Sequence, residues 1–99
     1  MPRMPSRAIG IPWYRSEDWP AIRRVMIDGD RLPARYEDWL HRAEHTREQF
    51  AAAGDIVEKV YLDPVDFADW CRARDLNIDS AARNRFAAEF VGEKYRNRS

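Results

Sequence analysis

The residues with the most chemical promise lie at His41-Arg42-Ala43-Glu44-His45, which matches the zinc-binding pattern H-x-x-E-H. Two histidines four apart on a helix can share one metal, and the intervening glutamate can act as a base. A helical wheel weighs against that use. His41, Glu44, His45 and Glu48 fall at about 80–180° from Tyr36, opposite the stripe formed by Tyr36, Trp39, Leu40, Ala43 and Phe50. They occupy the solvated face, and a catalytic zinc also needs a third protein ligand and a dry pocket. His41, Glu44 and His45 therefore stand only as metal candidates.

The other reactive groups have simpler readings. Cys71 lies beside Phe67 and Trp70, where a free thiol packs as a small hydrophobe. A nucleophilic thiol needs an electropositive, partly open niche. Asp63, Asp66 and Asp69 suit the start of a helix, where the dipole favours acids. Asp28-Gly29-Asp30 lacks the later ligands of a calcium loop and reads as a turn. Asn97-Arg98-Ser99 fits a glycosylation sequon, without a secretory signal to give it meaning. The four glycines are dispersed, so no phosphate-cradling loop exists, and no G-x-S-x-G elbow appears. No catalytic set and no cofactor are expected.

Two further groups concern binding. Arg83, Asn84 and Arg85 begin the last helix, after a turn at Leu76 to Asp79, and outline a helix-turn-helix. Arg and Asn at a helix start suit guanine and adenine edges. That motif wants an apolar residue about six after the turn, where this chain has Arg83, and its turn lacks glycine. Trp13, Tyr14, Arg15 and Trp19 would make a partner surface if exposed. Core is the first expectation for these rings, because a small chain has few other large side chains.

The elements that must position these residues follow from pattern. Ala8 to Tyr14 is at best a short edge strand, because Pro12 has no N–H for a ladder. Ser16 is the expected cap of a first short helix, and Asp28-Gly29-Asp30 its end, with Gly29 left-handed. Pro33 opens the longest helix, about residues 33–53. Residues 56–62 (IVEKVYL) are the best strand, bounded by Gly54 and Pro64. Asp63-Pro64 restarts a helix, and Asp79 caps a last one over about residues 80–95, with Phe86, Phe90 and Val91 on its core side. The expected fold class is α+β and mostly helical: about four helices with one or two short strands, roughly β-α-α-β-α-α. Residues 1–7 read as an arm, 8–95 as a single domain, and 96–99 as a frayed tail.

Ninety-nine residues allow one domain and exclude the large catalytic barrels and nucleotide-binding folds. Twelve per cent aromatic residues, four of them Trp, argue against a disordered chain. Seventeen basic and seventeen acidic side chains cancel, which argues against a uniformly basic nucleic-acid binder. The cancellation hides a pattern: residues 1–35 carry +3, residues 36–70 carry −6 and residues 71–99 carry +3. One cysteine permits no internal disulfide, and no segment reads as a leader or a membrane span. A cytoplasmic location without membrane contact is expected.

The runs IPWYRSEDWP (residues 11–20), LPARYEDWL (32–40) and LDPVDFADWCRAR (62–74) together resemble a small bacterial family of unknown function. The resemblance spans most of residues 9–90 and implies a bacterial source. It brings no activity, substrate or site residue. The expected function is a non-enzymatic interaction module with an unknown protein partner, a homodimer among the options. A nucleic-acid-associated regulator using residues 80–98 is the alternative, and an enzyme or metal-binding protein comes third.

Overall fold

The computed structural model describes residues 7–96. In chain order the elements are β1 (Ala8–Trp13), α1 (Trp19–Val25), α2 (Tyr36–Ala52), β2 (Ile56–Tyr61), α3 (Pro64–Ala73) and α4 (Ser80–Arg96). Single 3-10 turns at Ser16–Asp18 and Gly29–Arg31 flank α1. This is an α+β fold, mostly helical, in the expected order. Residues 1–6 of the expected arm and 97–99 of the expected tail, with the sequon, lie outside the described residues. Arg7 and Arg96 do not: Arg7 accepts the Ile56 N–H at 2.9 Å, and Arg96 is the last residue of α4.

The two strands pair in parallel, Ala8 opposite Ile56 through Trp13 opposite Tyr61. The Arg7 and Trp13 carbonyls accept from Ile56 and Leu62, so the odd residues of β1 bond towards β2. Pro12 is even, and its missing N–H falls on the outer edge, where a ladder loses nothing. A lone two-stranded ribbon is marginal, and helices cover both of its faces. Gly10 faces α4 so closely that a Cβ there would lie 2.5 Å from the Ala87 carbonyl oxygen. On the opposite face Trp13 meets Trp39 of α2 edge-on, ring centroids 5.2 Å apart.

Two apolar clusters result. The larger lies off the C-terminal ends of the strands and joins Tyr14, Trp19, Ile22, Met26, Leu62, Phe67, Cys71 and Ala82. The smaller, Val60 with Ala87 and Val91, sits between the ribbon and α4. Asp63 caps α3, its Oδ1 accepting the N–H groups of Val65 and Asp66, each at 2.9 Å.

Four local expectations are corrected. Ser16 is not the helix cap; it opens the 3-10 turn, and Arg15 precedes it without a side-chain cap bond. Gly29 is not left-handed, since Gly54 is the positive-φ glycine among the described residues. Gly29 is required by close approach, because a Cβ would come within 1.9 Å of the Arg23 carbonyl oxygen. Helix α2 begins at Tyr36 rather than Pro33: the Pro33 carbonyl accepts from Trp19 Nε1 at 3.2 Å, and Arg35 is extended. Phe90 is 51% exposed rather than in the core. Helix α4 packs on the ribbon through Ala87 and Val91, and Phe90 lies about 100° around the helix from Val91, off that face.

Candidate functional site

The start of α4 decides what the basic C-terminal segment can offer. Asp79 Oδ1 accepts the Ala82 N–H at 3.0 Å and fixes the first turn. That cap points Arg83 inward, on the same face as Ala87 and Val91. Arg83 is 8% exposed, and its guanidinium grips Asp28 with both arms, Nη1 to Oδ1 at 2.8 Å and Nη2 to Oδ2 at 3.0 Å. The expected base-reading trio is therefore broken up. Asn84 and Arg85 are exposed, but Arg85 Nε donates to Glu89 at 2.8 Å. The position where a helix-turn-helix wants an apolar residue holds an arginine, buried because Asp28 neutralises it.

This pair sets the local electrostatics. The hydrogen bond from Arg83 holds the Asp28 carboxyl below its ordinary value. Burial pushes the Tyr14 hydroxyl up to about 12, with the Arg83 charge opposing and the Asp28 charge adding. Burial of Arg83 alone would favour its neutral form, but the hydrogen bond to Asp28 and the Tyr14 and Asp28 charges raise its pKa instead.

The remaining candidates fall into place one by one. His41 and His45 are exposed. Glu44 is engaged by Arg47 Nε at 2.7 Å and Lys59 Nζ at 3.6 Å, and its carboxyl lies below the usual range, first because of the Arg47 hydrogen bond. Among the described residues no group of three or more His, Cys, Asp or Glu is placed to hold a metal ion. Cys71 is fully buried, and burial, then the Asp79 charge, pushes its thiol up, which disfavours the thiolate a nucleophile needs. Asp63 is used as the α3 cap, and Asp69 pairs with Arg72 at 2.9 Å. Trp13, Tyr14 and Trp19 are each 3% exposed, so the rings fill the core, as first expected, rather than forming the alternative partner surface; Arg15 alone stays outside, 4.5 Å over Tyr61.

The surface feature that sequence reasoning missed is aromatic. Trp70 stacks on Phe67, meets Phe86 edge-on at 5.1 Å, and carries the Arg74 guanidinium 4.4 Å above its ring. Half-exposed Phe90 joins them in an open groove of about 430 Å³, rimmed by Glu89, Glu93 and Lys94. Phe86 and Phe90 are four apart, so periodicity placed both in the core. The available signal was the small-residue face Ala87–Val91, which packs on the ribbon and turns Phe90 aside.

Fold and site together define a small α+β domain. A parallel two-stranded ribbon is clasped between helices, and an open aromatic groove is lined by Trp70, Phe86 and Phe90. The chain belongs to the family described as Domain of unknown function (DUF8829), which matches residues 13–96. No curated protein and no solved structure matches it. Among the described residues no helix is long and apolar enough to cross a membrane.

Proposed function

We propose that the protein is a small bacterial, cytoplasmic interaction module that contacts a protein partner through the Trp70–Phe86–Phe90 groove. The observation that carries this reading is Phe90, 51% exposed at the edge of a cluster of aromatic rings with an arginine stacked on it. Trp, Tyr and Arg dominate binding hot spots, and a clustered exposed apolar patch marks an interaction site more often than scattered apolar residues do. The family-like sequence runs support the bacterial source, and the single buried thiol suits a reducing compartment. The nucleic-acid alternative is weakened because Arg83 is committed to Asp28.

Photo-crosslinking in cells tests the reading. A benzophenone amino acid at position 90 is expected to give a discrete adduct that Trp70→Ala removes. The same probe at Glu48, on the exposed face of α2, is expected to give none. Equal labelling from both positions, or none from either, would end the proposal.

A further inference from the structure

We infer that the outer edge of β2 docks an extended strand of a different protein; this site is separate from the aromatic groove and does not rest on it. In β2 the even residues bond to β1, because Ile56 and Leu62 donate to the Arg7 and Trp13 carbonyls and the strands stay in register between them. Val57, Lys59 and Tyr61 therefore turn their N–H and carbonyl groups to the other side. Among the described residues none of those backbone groups has a hydrogen-bond partner, and no third strand lies beside β2. Such a row of unpaired groups is a template for another strand. It also specifies its occupant, since an extended backbone presents matching donors and acceptors at every second residue.

The two edges of the ribbon differ. The outer side of β1 lacks a donor at Pro12, and α4 is pressed against it at Gly10. Strand β2 has no proline, and Ile56 and Tyr61 at its two ends are each 45% exposed. An edge lysine commonly guards a strand by projecting past it. Lys59 is instead drawn inward, its Nζ 4.5 Å over the Trp13 ring on β1 and 3.6 Å from Glu44 on α2. A third strand also extends a ribbon that is marginal with two.

A second copy of β2 fits this edge badly. The antiparallel register that bonds all three outward residues sets Lys59 directly opposite Lys59 of the second copy, and like charges in that position are destabilising. Either neighbouring register leaves one of the three opposite a residue outside the strand, Asp55 or Asp63. The strand that fits carries an acid opposite Lys59 and apolar residues opposite Val57 and Tyr61, where cross-strand pairs of those kinds are favourable.

Titration of the isotope-labelled full chain with the capped peptide Thr-Val-Thr-Glu-Thr-Val-Thr, followed by NMR, tests this. Main-chain bonds supply most of the affinity in strand addition, so this generic sequence is expected to bind at millimolar concentration. The Val57, Lys59 and Tyr61 amides are expected to shift and to gain protection from hydrogen exchange. The Val60 amide bonds to β1 and is expected to be protected with or without peptide. The same peptide N-methylated at its glutamate and both valines keeps the side chains and is expected to bind at least about tenfold more weakly. Val57→Pro removes one outward N–H and leaves the bonds to β1 in place; it is expected to weaken binding about fivefold, with circular dichroism checking the fold. No change at the three amides, or equal binding of the N-methylated peptide, overturns the inference. A wild-type dimer in sedimentation that Val57→Pro dissolves would assign the edge to a second copy and overturn it as well.

Discussion

Helix α4 is fastened to the rest of the chain by a distant carboxylate near each end, and the two fastenings differ in kind. Near its start, Arg83 binds Asp28 in bidentate fashion, with the two side chains 10% and 20% exposed. Near its finish, Glu58 receives Lys94 Nζ at 2.9 Å and the Tyr95 hydroxyl at 2.5 Å; Glu58 is 23% exposed, much like Asp28, but its cation Lys94 is 45% exposed. A guanidinium fork fixes direction as well as distance, whereas an ammonium is a hydrated point charge on a flexible stem. The backbone around Asp28 is also held, by the Ile27 N–H donating to the Ile78 carbonyl at 2.7 Å and by Gly29 seated against Arg23. The first fastening is therefore a desolvated, preorganised joint, and the second is a tether at the surface. Coulomb energy grows as water is excluded, but so does the penalty for leaving one partner behind. The two ends of one helix should thus respond very differently to loss of a cation.

Arg83→Ala should give the largest effect, about 2–3 kcal/mol, because it leaves a mostly buried carboxylate, 20% exposed, without its charged hydrogen-bond partner. Urea unfolding measures it, and Arg83→Met should recover part of the loss by refilling the volume. The same joint sets an acid dependence. Asp28 is held below its ordinary pKa by Arg83, so its contribution is complete above the unfolded value of about 4. It is lost as pH falls through the lower folded value. Wild-type stability should fall on that acid side, and Asp28→Asn should flatten this part of the profile. An unchanged acid limb in Asp28→Asn would remove the joint from the comparison.

Between its fastenings α4 lies on the ribbon, and Gly10 sets how closely. Gly10→Ala would put a methyl 2.5 Å from the Ala87 carbonyl oxygen and 2.7 Å from Val91 Cγ2. Backbone on one side cannot yield cheaply, so the expected cost is about 1–3 kcal/mol. Gly92 on the same helix gives the opposite sign. Nothing lies within 4 Å of a Cβ there, so Gly92→Ala should stabilise by roughly 0.5–1 kcal/mol through helix propensity. Thermal unfolding of the two variants separates contact from propensity. If both stabilise, the ribbon and α4 are not in the close contact that makes Gly10 necessary.

Local patterns made much of this fold readable in advance. Asp63-Pro64 announces α3 through a cap and a proline, Asp79 announces α4, and the β-branched run at 56–62 announces β2. Their determinants lie within a few residues of one another. The pairings that matter for the site do not. Arg83 and Asp28 are 55 residues apart, so an arginine at a helix start looked free to read a base. Glu58 meets Lys94 across 36 residues and Arg7 meets Asp55 across 48, and both contacts join a basic end to the acidic middle. The sign pattern of +3, −6 and +3 foreshadowed that neutralisation, but no spacing rule names the partners. Phe90 was misplaced for a related reason. Periodicity groups Phe86 with Phe90, but it does not tell that the ribbon takes the neighbouring Ala87–Val91 face instead.

The smallest effect is expected at the far tether. Lys94→Ala removes a half-exposed ammonium, and Tyr95 still donates to Glu58. Exposed ion pairs contribute about 0–1 kcal/mol and weaken as salt rises, because mobile ions screen them beyond roughly 8–10 Å. The expected loss lies in that range and should shrink further in high salt, while the loss from Arg83→Ala should barely move. Measuring both variants by urea unfolding at low and high ionic strength puts the contrast on one scale. Equal losses would mean that the Lys94 pair holds as firmly as the Arg83 pair despite its more exposed cation, and that α4 is bolted at both ends. A large, salt-insensitive Arg83 effect beside a small, salt-sensitive Lys94 effect would make the start of α4 the fixed end. The turns carrying Glu89, Phe90 and Glu93 would then belong to the more loosely held end, where a partner can be met with little strain on the core.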